Sequence, residues 1–501
     1  MQLEIALSTL FGILGSPSIM ALILLAIPLG MFFGAIPGLG GKLGIVLLIP
    51  FVFGMDPLPG AIFLLAMHAV VHTGGSIPSI LFGVPGTGPD AATIVDGFPM
   101  AQKGEAGRAL GASLGASGIG GVIGAIFLAM MLPVLQPVIL SFSPAEFFLL
   151  AILGITFIAT LSGGSLIKGV IVGLFGLMLA FVGMDPMTGV TRYTFGQLFL
   201  WDGVDVITAV LALFAVPEML ALGVKGGSVS MVSRDAADYS FRDVLRGIAD
   251  VFRHWWLTIR TSVIGSFIGM IPGLGGDAAS WICYGHAVQS SKTPERFGKG
   301  AVEGVIAPET ANNSKEGGSL LPTLFFGVPG SSGMAILIGA LIMLGIKPGP
   351  MLILTGLDLV WSLIWALVLA NVLAVVVFLI CAPYFGLLSF VRGGLLIPFV
   401  FLLAMLGSYL SANQWENLVI LGGLGTLGYF LKRYRWPRPP FVIGLVLGPI
   451  AEDSLHKAMA LWGPSFLLRP LSLLFIAIII ASVGFYVFRT RRNGSKLVYD
   501  I

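Results

Sequence analysis

Long apolar stretches alternate with short segments rich in glycine, proline and polar residues along the whole chain. Nearly uncharged runs cover 18–36, 144–161, 205–222, 350–380, 394–412 and 465–488. Each nears or exceeds the roughly 20 residues with which a helix crosses a bilayer. The period-two alternation of half-buried strands is absent, so helices rather than a closed barrel are expected to satisfy the backbone in lipid. The pattern predicts an all-α polytopic membrane protein.

Composition agrees: of 501 residues, 56% are hydrophobic and 10% charged, against about 25% charged in a soluble chain. A net charge of +3 is too small to suggest a nucleic-acid partner. The first twenty residues lack a basic segment and carry Glu4, which argues against a cleaved signal peptide. Cys283 and Cys381 both sit in apolar surroundings and read as buried thiols rather than a disulfide.

The placement of charge is more informative than its sum. Residues 1–41 contain no Lys or Arg, whereas 223–260 hold Lys225, Arg234, Arg242, Arg246, Arg253 and Arg260. Basic clusters also occur at 432–438 and 489–496. The bias of Lys and Arg toward the cytoplasm puts these three segments inside, including the C-terminus, and the N-terminus outside.

The chain also repeats itself. Pro37-Gly38-Leu39-Gly40-Gly41 recurs as Pro272-Gly273-Leu274-Gly275-Gly276, 235 positions on, and a Phe-Gly-Val-Pro-Gly string ending at Gly86 recurs at Gly330, 244 positions on. Two different strings in the same order signal an internal duplication. The expected organisation is an N-terminal segment (1–17), a first transmembrane repeat (18–222), a cytoplasmic linker (223–255), a second repeat (256–460), and an additional terminal helix with a basic tail (461–501). An outside N-terminus and an inside linker give the first repeat an odd number of crossings. The two repeats are then inverted, with broken or re-entrant hairpins, as in many secondary transporters.

Proline and glycine break helices, and in hydrocarbon a break is tolerated only where protein, water or ligand satisfies the freed groups. Freed amides at a half-helix N-terminus suit an anion, and freed carbonyls suit a cation. The substrate-binding candidates are therefore Gly38, Gly40, Gly41, Gly86, Gly273, Gly275, Gly276 and Gly330. Lys42, Thr87, Asn312, Asn313 and Ser331 join them as adjoining donors. For cation coupling the candidates are Asn312, Asn313, Asp277 and Glu309, the coupling ion being Na+ or H+. The glycine-rich run 110–125 reads instead as helix packing. Asp90, Asp96, Lys103 and Arg108 read as surface charges. The alternative for Asn312, Asn313 and Ser314 is a solvated turn. His68 and His72 share a helix face at a spacing that suits zinc, but the sequence shows no third ligand, so a hydrogen-bonding role is favoured. No P-loop is present, so ATP hydrolysis on this chain is not expected to drive transport, and no cofactor is expected.

Five strings in order, "GAIPGLGG", "GVPGTGPDAATIVDGFPMAQKGEAGRALGAS", "GMDPMTGVTRYTFG", "PETANNSKEGGSLLPTLFFGVPG" and "FVIGLVLGPIAED", together resemble the large membrane subunit of tripartite tricarboxylate transporters. The resemblance spans roughly 18–460. It implies a multi-pass carrier of the bacterial inner membrane that imports a small carboxylate by cation-coupled symport. It also implies two partners besides lipid: a small membrane subunit, and a periplasmic binding protein that delivers the substrate. The family's hairpins and Asn-containing motif map onto Gly38–Gly41, Pro85–Thr87, Gly273–Gly276, Asn312–Asn313 and Pro329–Ser331. A membrane-embedded enzyme and a passive anion channel are the competing readings. No nucleophile–base pair or metal trio is evident in the sequence for the former. The substrate's identity and homo-oligomerisation are left open.

Overall fold

The computed structural model describes residues 2–36, 40–161, 166–185, 188–225, 240–272, 275–388 and 393–493. The chain is helical almost throughout. The first half contains α1 (Gln2–Leu14), α2 (Pro17–Ala35), α3 (Gly40–Val52), α4 (Pro57–Phe82), α5 (Ala91–Gln102) and α6 (Ala106–Leu140). It continues with α7 (Pro144–Leu161), α8 (Leu166–Ala180), α9 (Val206–Val210) and α10 (Val216–Lys225). The second half repeats the order from α11 (Phe241–Arg253) through α12 (Trp255–Gly269), α13 (Gly275–Ser290), α14 (Glu303–Phe326) and α15 (Ser332–Met343). After the short α16 (Pro350–Thr355) come α17 (Leu357–Leu388), α18 (Gly393–Ala412), α19 (Glu416–Arg433), α20 (Pro439–Trp462) and α21 (Pro470–Asn493).

Among the described residues, Pro17–Ala35, Pro57–Phe82, Ala106–Ile139 and Leu357–Ile380 are each long and apolar enough to cross a membrane. Pro439–Leu468 and Pro470–Ala481 form a further pair bent by 66°. The expectation of an all-α polytopic membrane protein is met. Among the described residues it did not anticipate a two-residue antiparallel ladder that pairs Gly183 with Arg192 and Met184 with Thr191. The run 144–161 forms α7 as expected. The run 205–222 is helical but passes through a π turn at Leu211–Ala215. Pro217 lacks the amide that would bond the carbonyl four residues earlier, and Arg438 donates to that Leu213 oxygen at 3.0 Å instead.

Both proline–glycine strings interrupt helices where expected. Helix α2 stops at Ala35 and α3 starts at Gly40; α12 stops at Gly269 and α13 starts at Gly275. The two FGVPG strings end α4 and α14 with the same cap. Gly83 and Gly327 are left-handed, each at φ 66°, and their amides return to Pro78 and Pro322 respectively. The amides of Val84 and Val328 bond the same carbonyls, so prolines five residues before each cap glycine gain partners for their oxygens.

The halves interlock rather than lie side by side. Helix α6 packs along α14, α17 packs along α4, and α6 and α17 also touch each other. Likewise α11 lies on α6 and α1 on α17, with Trp365 donating to the Ala6 carbonyl at 2.7 Å and Arg108 bonded to Asp250 at 2.6 Å. Part of the expected linker is thus α11, packed against the first half. Glycines set the crossings within each half as well, of α2 on α4 and of α12 on α14. A Cβ at Gly34 would collide with the Val71 carbonyl of α4, and one at Gly269 with the Lys315 carbonyl of α14. The glycine-rich run 110–125 does pack, as expected: Gly120 and Gly124 lie against the backbone of Thr310 and Ser314.

Replacing such a glycine should separate two backbones, an overpacking cost of roughly 1–3 kcal/mol or more. Gly124→Val should therefore lower the thermal midpoint of the purified protein by several degrees. Gly285→Ala, where an added Cβ meets nothing within 4 Å, should leave it unchanged or slightly raised.

Candidate functional site

Helices α4 and α14 form the innermost pair, with every residue from Gly60 to Phe82 and from Gly304 to Phe325 buried. Their packing fixes a constant register of 244 residues between them. Gly30 faces the Met67 carbonyl as Gly265 faces Ala311, and Gly74 faces Met31 as Gly318 faces Ser266. The two GGS triplets are therefore not equivalent, since Gly74 corresponds to Gly318 rather than to Gly317. In this register His68 corresponds to Asn312 and His72 to Glu316.

These four residues and Lys315 come together across the two halves. His72 Nε2 lies 3.0 Å from Glu316 Oε1 and 3.2 Å from Lys315 Nζ, while its Nδ1 is 3.4 Å from Thr87 Oγ1. Lys315 also pairs directly with Glu316. His68 Nε2 is 3.5 Å from Glu316 Oε2. The absence of a third ligand beside the two histidines is corrected by Glu316, which α14 brings from the other half: all three ligand atoms lie within 4.8 Å of one another. The Lys315 ammonium already supplies positive charge at Glu316 and His72, so the cluster is electrostatically compensated without a metal.

Around this centre, Asp90 accepts from the Thr87 amide and hydroxyl at 2.8 and 2.6 Å, and from Asn312 Nδ2 at 2.9 Å. Asn313 donates to Thr73 Oγ1 at 3.1 Å and to Asn371 Oδ1 at 2.9 Å. Glu309 accepts from Thr93 at 2.5 Å and from Ser117 at 3.1 Å. Asn312 Oδ1, Asn313 Oδ1 and His68 Nδ1 are buried without a hydrogen bond, and Glu316 Oε2 has His68 Nε2 at 3.5 Å. Buried polar atoms normally find partners, and acceptors left over near a charged centre are what a bound ion or substrate would use.

Asp90 and Asp96, expected at the surface, are fully buried. Their carboxylates are tolerated because the chain solvates them. Asp96 accepts from the amides of Gly300 and Ala301, both at 2.8 Å, and from the Tyr284 hydroxyl at 3.0 Å. That ties α5 to the segment leading into α14. Lys103 is exposed as expected, and Arg108 is partly exposed while bonded to Asp250. Asn312, Asn313 and Ser314 lie in mid-helix, so the solvated-turn alternative fails. Cys283 is a buried thiol, as expected.

The remaining site candidates fall as follows. Gly86 is buried against Gly34 and Gly75. Gly330 donates its amide to Thr323 at 3.2 Å, and Ser331 caps α15 by accepting from the Met334 amide at 3.2 Å. Gly276 lies beside the Lys315 side chain, so the second break reaches the cluster. Gly40, Gly41 and Gly275 open α3 and α13, and Lys42 is exposed in the first turn of α3. Gly38, Gly273 and the side chain of Asp277 lie outside the described residues.

A family model described as the tripartite tricarboxylate transporter TctA family matches residues 20–443. The chain belongs to this family. As a TctA family member it is a multi-pass protein of a tripartite transport system, and its family is one of transporters. An Agrobacterium vitis protein, named as an uncharacterized 52.8 kDa protein in the TAR-I ttuC' 3' region, is 32% identical over 445 residues, or 86% of this chain and 85% of its own. A second protein of that organism, named for the TAR-II ttuC' 3' region, is 36% identical over 198 residues, or 39% of this chain and 81% of its own. No solved structure matches the chain.

Removing one partner of a buried ion pair leaves the other charge uncompensated, at a cost of roughly 3–5 kcal/mol. Lys315→Met and Glu316→Gln should each lower the melting temperature of the TctA family protein. The double variant should melt above both, as a thermal-unfolding double-mutant cycle will read.

Proposed function

We propose that this TctA family protein is the carrier subunit that imports a small carboxylate by symport with Na+ or H+. In this reading a small membrane subunit accompanies it in the inner membrane, and a periplasmic binding protein delivers the substrate. The observation that supports the reading best is the buried polar cluster shared by α4 and α14, each of which ends at a matching left-handed glycine cap. A polar cluster buried in a membrane-spanning fold is a functional-site hypothesis by default, and its place between duplicated halves is where secondary transporters hold substrate and ion.

The cluster has the chemistry for both cargoes. His68, His72 and Lys315 can offer N–H groups to carboxylate oxygens. Oxygen atoms suit a hard cation; Asn312 Oδ1 and Asn313 Oδ1 are buried without a hydrogen bond, and Glu316 Oε2 faces His68 Nε2 at 3.5 Å. Glu309 lies two helical turns before Glu316 and is held by two hydroxyls, so it reads as a further protonatable or cation-binding group. The duplicated order of elements supports inverted repeats, with motion of the hairpin-bearing helices exposing the cluster to each side in turn.

Uptake by proteoliposomes containing both membrane subunits, fed by the loaded binding protein, should collapse when Na+ and H+ gradients are dissipated together. Uptake that persists without either gradient, or that requires ATP, overturns the proposal. Asn312→Ala and Asn313→Ala should each reduce the initial rate at least tenfold while leaving the amount of inserted protein unchanged.

A further inference from the structure

The two hairpin tips are built on one plan but differ in what fills them. At the first tip, the α14 residue Asn312 reaches over and donates its side-chain amide to Asp90. The same carboxylate accepts from the amide and hydroxyl of Thr87, the residue after the Pro-Gly break. This tip thus grips a carboxylate that belongs to the protein itself. Gly75 makes the room, because a Cβ there would collide with Asp90 Oδ2.

The second tip carries the matching parts without the carboxylate. In the 244-residue register, Ser331 stands for Thr87, Gly333 for Pro89 and Met334 for Asp90. The reaching residue is His68 of α4, the counterpart of Asn312. Its imidazole lies on Gly333, where an added Cβ would come within 2.6 Å of Cε1 and 2.9 Å of Nε2. His68 is 2% exposed; its Nε2 faces Glu316 Oε2 at 3.5 Å, while Nδ1 has no hydrogen-bond partner. Ser332 and Gly333 occupy the first turn of the twelve-residue α15, where backbone amides have no intrahelical partner and the helix dipole favours an anion. The first tip has Pro89 at the position of Gly333, and proline has no amide to offer.

We infer that the second tip binds a carboxylate of the transported substrate, gripped by His68 and the amides of Ser332 and Gly333, while Asp90 permanently fills the equivalent place at the first tip. The inference rests on the carboxylate-carrier reading above and adds which tip takes the anion and which side chain selects it. The bound group lies outward of Asp90's counterpart position, since Ser319 stands where Gly75 admits Asp90. An imidazole N–H donates to a carboxylate oxygen, and an amide or alcohol of equal size lacks the charge that the helix terminus favours.

The test compares the tips directly in the complete complex, with both cysteines replaced by serine. Ser331→Cys and Thr87→Cys are labelled with a small thiol reagent, with and without saturating acetate, succinate, malate or citrate. At least one of these carboxylates should slow labelling of Ser331→Cys at least fivefold and that of Thr87→Cys less than twofold. Equal protection at both tips, or none at either with all four probes, overturns the inference. Against the protecting carboxylate, His68→Ala should raise the Kd at least tenfold, and His68→Gln, which keeps a donor, should recover part of that loss. Unchanged affinity in well-folded His68→Ala also overturns it. Failure of the carrier reading would show separately, as absence of gradient-driven uptake by the unmodified complex.

Discussion

A peptide amide or carbonyl stripped of its partner in hydrocarbon costs several kcal/mol, and the architecture follows from where this chain breaks its helices. Four breaks are written into the duplicated strings, and each must end against protein. Helices α4 and α14 meet that need by lying innermost, buried from Gly60 to Phe82 and from Gly304 to Phe325, with left-handed glycines folding their last amides back onto proline carbonyls. The helices around them can pack closely enough to exclude lipid because glycines bring backbones into contact at Gly34, Gly120, Gly124 and Gly269. Burial of the breaks then creates the low-dielectric place in which His72, Lys315 and Glu316 must neutralise one another.

The helical class, the duplication and the positions of the breaks were legible in the sequence because each depends on local chemistry: apolar run length, proline and glycine. The fate of the charges was not. Asp90 and Asp96 stand among Thr, Gly and Pro, the company of a surface turn, and only the fold supplies Asn312, Tyr284 and the Gly300 and Ala301 amides that allow them inside. Lys315 and Glu316 follow Asn312 and Asn313 in one polar run, and the run alone does not single them out. A signal existed nonetheless. Extending the 244-residue offset of the FGVPG strings back by three to four turns aligns His72 with Glu316 and His68 with Asn312, two pairs at one helical spacing.

Duplication usually suggests two equivalent sites, but here side chains at equivalent positions have complementary chemistry. Histidine faces asparagine, histidine faces glutamate, and aspartate faces methionine. One α4–α14 pair therefore builds a single mixed cluster with donors, acceptors and a compensated charge, instead of two copies of one half-site. The same divergence appears at the periphery. Helix α11 carries Arg242, Arg246 and Arg253, whereas α1, packed on the equivalent long helix, has no basic residue.

The exchange of α6 and α17 between halves also constrains how the protein is made. Helix α4 leaves the ribosome with two histidines on it, but the helix that shields it, α17, is encoded some 275 positions later. Helix α6 likewise presents a glycine-lined backbone long before α14 exists to cover it. Neither half can finish its own interior, so assembly must wait for the last third of the chain. A chaperone, an insertase or a temporary neighbouring helix would find its natural task in that interval.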